Sequence, residues 1–182
     1  MNSVISEMPG PDVAVKARAP FQDAPMTMPI EATEHAGPVI IWRKELRPDS
    51  GGAGKTRGGL GQYMEVGAQE GHEFDIQAMF DRVEHPARGR RGGGAGAPTT
   101  ISQDDGSVMN GKGKQFVAHG RRVVMAFPGG AGYGDPSERS VELVKRDLAR
   151  GYISAETASK NYNLSAADIA EVQAAVARGD AL

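Results

Sequence analysis

Apolar positions in this chain come in two rhythms. From residue 38 to about 136 they occur in short bursts. Pro38-Val39-Ile40-Ile41-Trp42 is apolar and β-branched, and with Arg43-Lys44-Glu45-Leu46 it predicts a strand. Further strands are predicted at Gln62 to Val66, His72 to Phe80, Lys114 to Val117 and Arg121 to Phe127. Between and after them lie glycine-dense stretches at Asp49 to Gly61, Arg88 to Pro98 and Phe127 to Pro136. The rhythm then turns helical. Val141, Val144 and Leu148 recur at helical spacing, and Gly151 follows as a stop. Ser154 is placed to cap a second helix. Ser165, with Asp168 three residues on, opens a third, whose Ile169, Val172 and Val176 share one face before Gly179 ends it.

The expected fold class is therefore α+β, in three parts. Residues 1–37 read as an extended arm, because the first 38 residues hold six of the 11 prolines and few periodic apolar positions. Residues 38–136 form a β-rich, glycine-looped body. Residues 137–182 form a helical tail, too small to stand alone.

Composition sharpens the picture. The 182 residues include 25 glycines and 11 prolines, about a fifth of the chain against roughly an eighth in an average protein. The excess has no period and points to tight turns. A net charge of −2 gives no general pull toward nucleic acid or membrane. The absence of cysteine excludes disulfides, thiol catalysis and cysteine-bound zinc, and suits the cytoplasm. No apolar run reaches the roughly 20 residues of a membrane helix, and Met1 to Pro25 lacks the order of a signal peptide.

Several motifs tempt and fail. Gly54-Lys55-Thr56 suggests a phosphate-binding loop, yet Asp49 stands where that motif opens with glycine, and Arg-Gly-Gly-Leu-Gly follows where a helix must start. Two isolated Arg-Gly-Gly triplets, at Arg57 and Arg91, are too sparse for RNA binding. Ser154 to Val176 mimics a helix-turn-helix, but Ala166 to Ala177 carries no lysine or arginine to meet phosphates. His35, His72, His85 and His119 show no metal-ligand spacing. No catalytic set and no metal site is expected in this chain.

Three stretches read together say more. The run from Glu45 to Gly61 (ELRPDSGGAGKTRGGLG), the run from Phe127 to Pro136 (FPGGAGYGDP) and Glu142 to Ser154, continuing to Tyr162, resemble in order the signatures of the C-terminal part of the hydantoinase B / 5-oxoprolinase family, to which the acetone and acetophenone carboxylases are related. Departures are Phe127 in place of threonine, Ala131 in place of glycine, and Asn163 where glycine usually follows tyrosine. The resemblance implies a two-component enzyme. A hydantoinase A type partner binds ATP with magnesium and phosphorylates a lactam or enolate oxygen. The B type subunit then completes ring opening with a metal-bound water, or carboxylation. The family's metal-binding residues lie in a longer upstream region, so a complementary N-terminal hydantoinase B chain is expected as second partner, and no cofactor in this chain itself. The alternative is a non-catalytic interaction or vestigial subunit.

The resemblance also nominates a loop set, structural or close to substrate: Arg47, Asp49, Ser50, Gly51, Gly52, Gly54, Arg57, Gly58 and Gly59, then Gly129, Gly130, Gly132, Gly134 and Asp135. Because Arg47 and Arg57 flank Asp49, a charge-assisted arginine–carboxylate pair is expected to lock the first loop.

Overall fold

The computed structural model describes residues 30–179, so most of the proposed arm lies outside the described residues. Its end, Ile30–Ala36, is not extended but forms helix α1. Strands follow at β1 (Val39–Arg47), β2 (Gly61–Ala68), β3 (Phe74–Met79), β4 (Thr100–Gln103), β5 (Lys112–Val117) and β6 (Arg122–Ala126). A short 3-10 turn at Pro136–Glu138 leads to α2 (Val141–Ala149), α3 (Ala155–Tyr162) and α4 (Ala166–Arg178). The architecture is α+β, as expected.

The strands make two antiparallel sheets, one ordered β1-β2-β6-β4 and one of β3 and β5. Period-two alternation explains which face is covered. On β2 and β6, Met64, Val66, Val123 and Met125 point the same way, and with Ile101 and Val117 they form the first core, against Phe74, Ile76 and Phe80. Val117 and Val123 are wholly buried, each stabilising by about 1.5–3 kcal/mol relative to exposure. Strand β4 escapes the hydrophobic pattern because Ile101 is its single apolar residue. It exists by pairing with β6, Thr100 opposite Ala126 and Gln103 opposite Val123. Three acidic residues pair with bases from distant segments: Glu65 with Arg122, Asp75 with Lys114, Asp81 with Lys112.

The second core is helical. Val144, Ile153, Ala158, Tyr162 and Leu164 are buried together, and Ala53 from the first glycine loop packs against them. The caps foreseen are made: the Ser154 hydroxyl accepts from the Thr157 amide at 3.1 Å, and that of Ser165 from the Asp168 amide at 3.1 Å. Gly179 closes α4 in the left-handed region. One helical expectation fails. Val172 is buried but Val176 is 47% exposed, because Ala175 takes the inward position in the last turn.

Candidate functional site: a layer of glycine loops

Between the two cores lies a layer made almost entirely of backbone. Residues 50–59, 87–97 and 128–134 run beside one another and bond amide to carbonyl. Gly52 donates to Gly130 (2.8 Å), Gly130 to Gly59 (2.8 Å), Gly94 to Ala53 (2.7 Å), Gly132 to Gly94 (2.9 Å) and Ala97 to Ser50 (2.8 Å). Where the loops pack on one another, as at the buried Gly52, Gly129 and Gly132, their polar groups are satisfied this way. Glycine is required by the closeness of approach. A methyl group at Gly129 would overlap the Ser50 carbonyl, and one at Gly132 the Ala53 carbonyl, both backbone groups held by their own bonds. The loop residues nominated from sequence are thus brought together, with Gly51, Gly54 and Gly58 equally tight against Gly58, Tyr133 and Gly130.

Polar side chains close the ends of the layer. Ser50, 1% exposed, donates its hydroxyl to the Arg47 carbonyl and accepts from the Gly61 amide at 2.8 Å, pinching the base of the first loop. Arg47 donates to the carbonyls of Pro98 (2.7 Å), Ala126 (3.3 Å) and Phe127 (3.2 Å). Gly134 has φ +74° and hands on to Asp135, whose carboxylate accepts from the Ser137 amide (2.8 Å) and hydroxyl (2.7 Å). Those two bonds hold the Asp135 carboxyl below its ordinary value.

The expected lock is corrected here. Asp49 does not pair with Arg57. It sits in the left-handed region at φ +56°, donates its amide to the Tyr152 carbonyl (3.0 Å) and accepts from the Ser154 amide (2.8 Å), so it ties the loop to the start of α3. Arg57 instead donates to Asp147 at 2.9 Å, and Arg139 donates to the same carboxylate oxygen at 2.7 Å. All three are buried, Asp147 completely. Arg57 also holds the Gly58 carbonyl (2.8 Å) and Arg139 the Lys55 carbonyl (3.1 Å). One carboxylate on α2 therefore joins the helical tail to the first loop through two guanidinium groups. Beside it lies the Tyr162 phenol, pushed above its ordinary value by burial. The sequence carried a signal for Asp147: it falls three residues after Val144 and beside Leu148, on the inward face of α2, where a charge needs a partner.

The groups of the Gly-Lys-Thr turn are engaged within the chain. The Thr56 amide is bonded to the Tyr133 carbonyl (2.9 Å), that of Lys55 to Gly134 (3.3 Å), and the Lys55 ammonium pairs with Glu138 (3.0 Å). Among the described residues no group of three or more histidines and acids is placed to hold a metal, and no helix is long and apolar enough to cross a membrane. The Nε2 of His119 accepts from the Gly71 amide at 2.8 Å, and His72 lies against the Glu70 carbonyl. What the arrangement provides is a closely packed layer of loops bonded backbone to backbone.

Residues 17–136 match the family described as Hydantoinase B/oxoprolinase, and the chain belongs to that family. Among its relatives are an uncharacterized protein of Methanocaldococcus jannaschii, 34% identical over 142 residues, and the caprolactamase subunit beta of Pseudomonas jessenii, 31% identical over 151 residues; each alignment covers 76% of this chain and 25% of the relative. The chain thus spans about a quarter of the length of these relatives. The crystal structure of the ATP-dependent caprolactamase from Pseudomonas jessenii superposes with a TM-score of 0.72 at 26% identity, covering 97% of this chain and 33% of that one. Acetone carboxylase in its nucleotide-free form shares the fold, with a TM-score of 0.59 at 18% identity over 83% of this chain and 26% of that one.

Proposed function

We propose that the chain forms the C-terminal part of a hydantoinase B type subunit and works as its buttress, within an ATP-dependent enzyme that opens cyclic amides or a related ketone carboxylase. The observation that carries this reading is the superposition on caprolactamase, which takes in 97% of this chain while filling 33% of that one. The partners are a hydantoinase A type subunit, which binds ATP with magnesium, and the remainder of a hydantoinase B type subunit, which holds the divalent metal. A cytoplasmic setting fits ATP-dependent chemistry and a sequence without cysteine.

In this reading the chain's own residues do no bond-breaking. The glycine layer constrains loop positions closely, because backbone packed on backbone leaves no rotamer to relax. The Arg57–Asp147–Arg139 cluster keeps that layer in register with the helical tail. The test is purification of the tagged chain under native conditions, with mass spectrometry of what accompanies it. The complex is then assayed for ATP turnover with 5-oxoproline, hydantoin, caprolactam and acetone. Co-purification of both partner types, with ATP turnover stimulated by one substrate, is the expected result. Recovery as a lone monomer with no stimulated turnover would leave the non-catalytic reading standing instead.

A further inference from the structure

At two places in the chain a glycine follows a residue whose side chain can close on the next peptide nitrogen: Asp105-Gly106 and Asn110-Gly111. In both, the side-chain oxygen accepts from the amide two residues on, Asp105 Oδ1 from Ser107 at 2.9 Å and Asn110 Oδ1 from Lys112 at 3.1 Å. Such a bond curls the side chain over the glycine peptide, and brings its terminal carbon toward the glycine nitrogen. The two sites differ where the chemistry is decided. The Gly106 amide is engaged by the Gln103 carbonyl at 2.9 Å. The bonds from Ser107 hold the Asp105 carboxyl below its ordinary value, and an ionised carboxylate resists attack by nitrogen. Asn110 is instead a neutral carboxamide on an exposed residue. The amide of Gly111 has no backbone acceptor among the described residues.

The surroundings hold this pair in place. Gln115 accepts from the Asn110 amide at 2.9 Å through its Oε1 and donates to the Asn110 carbonyl through its Nε2. On the other side, the Gly111 carbonyl accepts from the Phe80 amide at 2.9 Å. The Lys112 amide, already donating to Asn110 Oδ1, stands where negative charge would collect if a nitrogen added to the carboxamide carbon. Glycine at position 111 lacks the Cβ that would screen the attacking nitrogen.

We propose that Asn110 is a site of spontaneous covalent modification, in which the Gly111 nitrogen closes on the Asn110 carboxamide and the ring reopens to a β-linked aspartate. The Gly111 nitrogen loses its proton to hydroxide from solvent, and its electron pair forms a bond to Asn110 Cγ. The displaced π pair rests on Oδ1, beside the Lys112 amide, and returns as the Cγ–Nδ2 bond breaks. Nδ2 takes a proton from water and leaves as ammonia, which completes a succinimide ring. Water adding to the main-chain carbonyl of that ring gives the β-linked product, and water adding to Cγ gives ordinary aspartate. Both reacting atoms belong to adjacent residues, so the reaction needs no partner. The β-linked product carries one more methylene in the main chain just ahead of Gly111. Room is short there, since even a Cβ on Gly111 would meet Val83 Cγ2 at 2.7 Å. The Phe80–Gly111 bond, and the pairing of Lys112 with Met79 that follows it, have to shift. The modification thus loosens the β3–β5 ribbon at its end.

The experiment holds the full chain at mildly alkaline pH, folded or unfolded in guanidinium chloride. The tryptic peptide 92–112, in which Asn110 is the only asparagine, is then followed by mass spectrometry. Conversion adds one mass unit, and an enzyme that methylates β-linked aspartate labels the product. Asn110 is expected to convert in the folded chain at least as fast as in the unfolded one. It is also expected to convert about tenfold faster than Asn161 and Asn163, which precede the bulky Tyr162 and Leu164. Labelling of the peptide with its mass unchanged places the linkage at Asp105 and overturns the assignment. Slower conversion in the folded chain than in denaturant means that the fold protects the pair, and overturns the proposal too. The consequence is read by melting. The β-linked fraction is expected to melt below both Asn110→Asp and Asn110→Gln, and equal midpoints overturn the loosening of the ribbon.

Discussion

The sheets and the glycine layer lie side by side, yet they are held together in opposite ways. In the sheets, side chains such as Val117, Val123 and Ile101 fill a core, and the backbone pairs along ladders. In the glycine layer side chains are few, and loops 50–59, 87–97 and 128–134 pack carbonyl against Cα at several glycines. A side-chain core tolerates change in proportion to volume. At Gly129 and Gly132 the backbone layer tolerates none, because the neighbour in the way is a peptide group already bonded on its other side.

Substitution of Gly129 by valine breaks this comparison open most sharply. The new side chain would sit on the Ser50 carbonyl, and we expect the chain to fail to fold, or to lose more than about 4 kcal/mol of stability. Val123→Ala removes a wholly buried side chain and is expected to cost about 2–3 kcal/mol. Urea melts of the two variants measure the difference; a Gly129→Val protein as stable as Val123→Ala would mean that the layer yields.

The second contrast is between two carboxylates that both hold the first loop. Asp147→Asn leaves two buried guanidinium groups without their counter-charge and is expected to cost about 3–5 kcal/mol. Asp49→Asn tolerates the left-handed backbone and keeps an oxygen to accept from the Ser154 amide at an exposed position, and is expected to cost less than about 1 kcal/mol. Equal melting shifts for the two would restore Asp49 as the anchor of the loop.

How much of this was legible in the sequence follows the same division. Strands β1, β2, β3, β5 and β6 were legible as short apolar bursts, α2 and α4 as helical apolar patterns, and α3 through its cap at Ser154; Ser165 and Gly179 mark the ends of α4. β4 was hidden, because a single Ile101 makes no pattern. The glycine loops were legible as a family resemblance and as close packing, but not as a layer, since which loop meets which depends on distances of 40 to 80 residues along the chain. The lock was misread for the same reason. Asp49 is near Arg57 in sequence, whereas Asp147 lies 90 residues away and is visible only as an acid on an apolar helix face.

Alkaline titration separates the two cores. Burial raises the Tyr162 phenol, so the folded state prefers it protonated. Its contribution is complete below the unfolded value of about 10 and is lost as pH rises through the raised folded value. Tyr162→Phe, which cannot ionise, is expected to retain its thermal midpoint at higher pH than the unsubstituted chain. Parallel alkaline limbs for the two would show that this phenol does not govern the helical core.

The smallest expected effect concerns the end of α3. The chain leaves that helix through Asn163 at φ +54°, with its amide bonded to the Ser159 carbonyl (3.1 Å) and that of Leu164 to Ala158 (3.1 Å). This is the place where glycine follows tyrosine in the resembling signature. The backbone explains why asparagine suffices: the left-handed region is open to glycine and tolerated by asparagine, and closed to most other residues. Asn163→Gly is therefore expected to change stability by less than about 0.5 kcal/mol, whereas Asn163→Ala is expected to cost about 1–2 kcal/mol. Thermal melts with both substitutions decide it. If alanine is tolerated as well as glycine, the turn after Tyr162 is not held in the left-handed conformation, and the departure from the signature has to be explained by something other than backbone geometry.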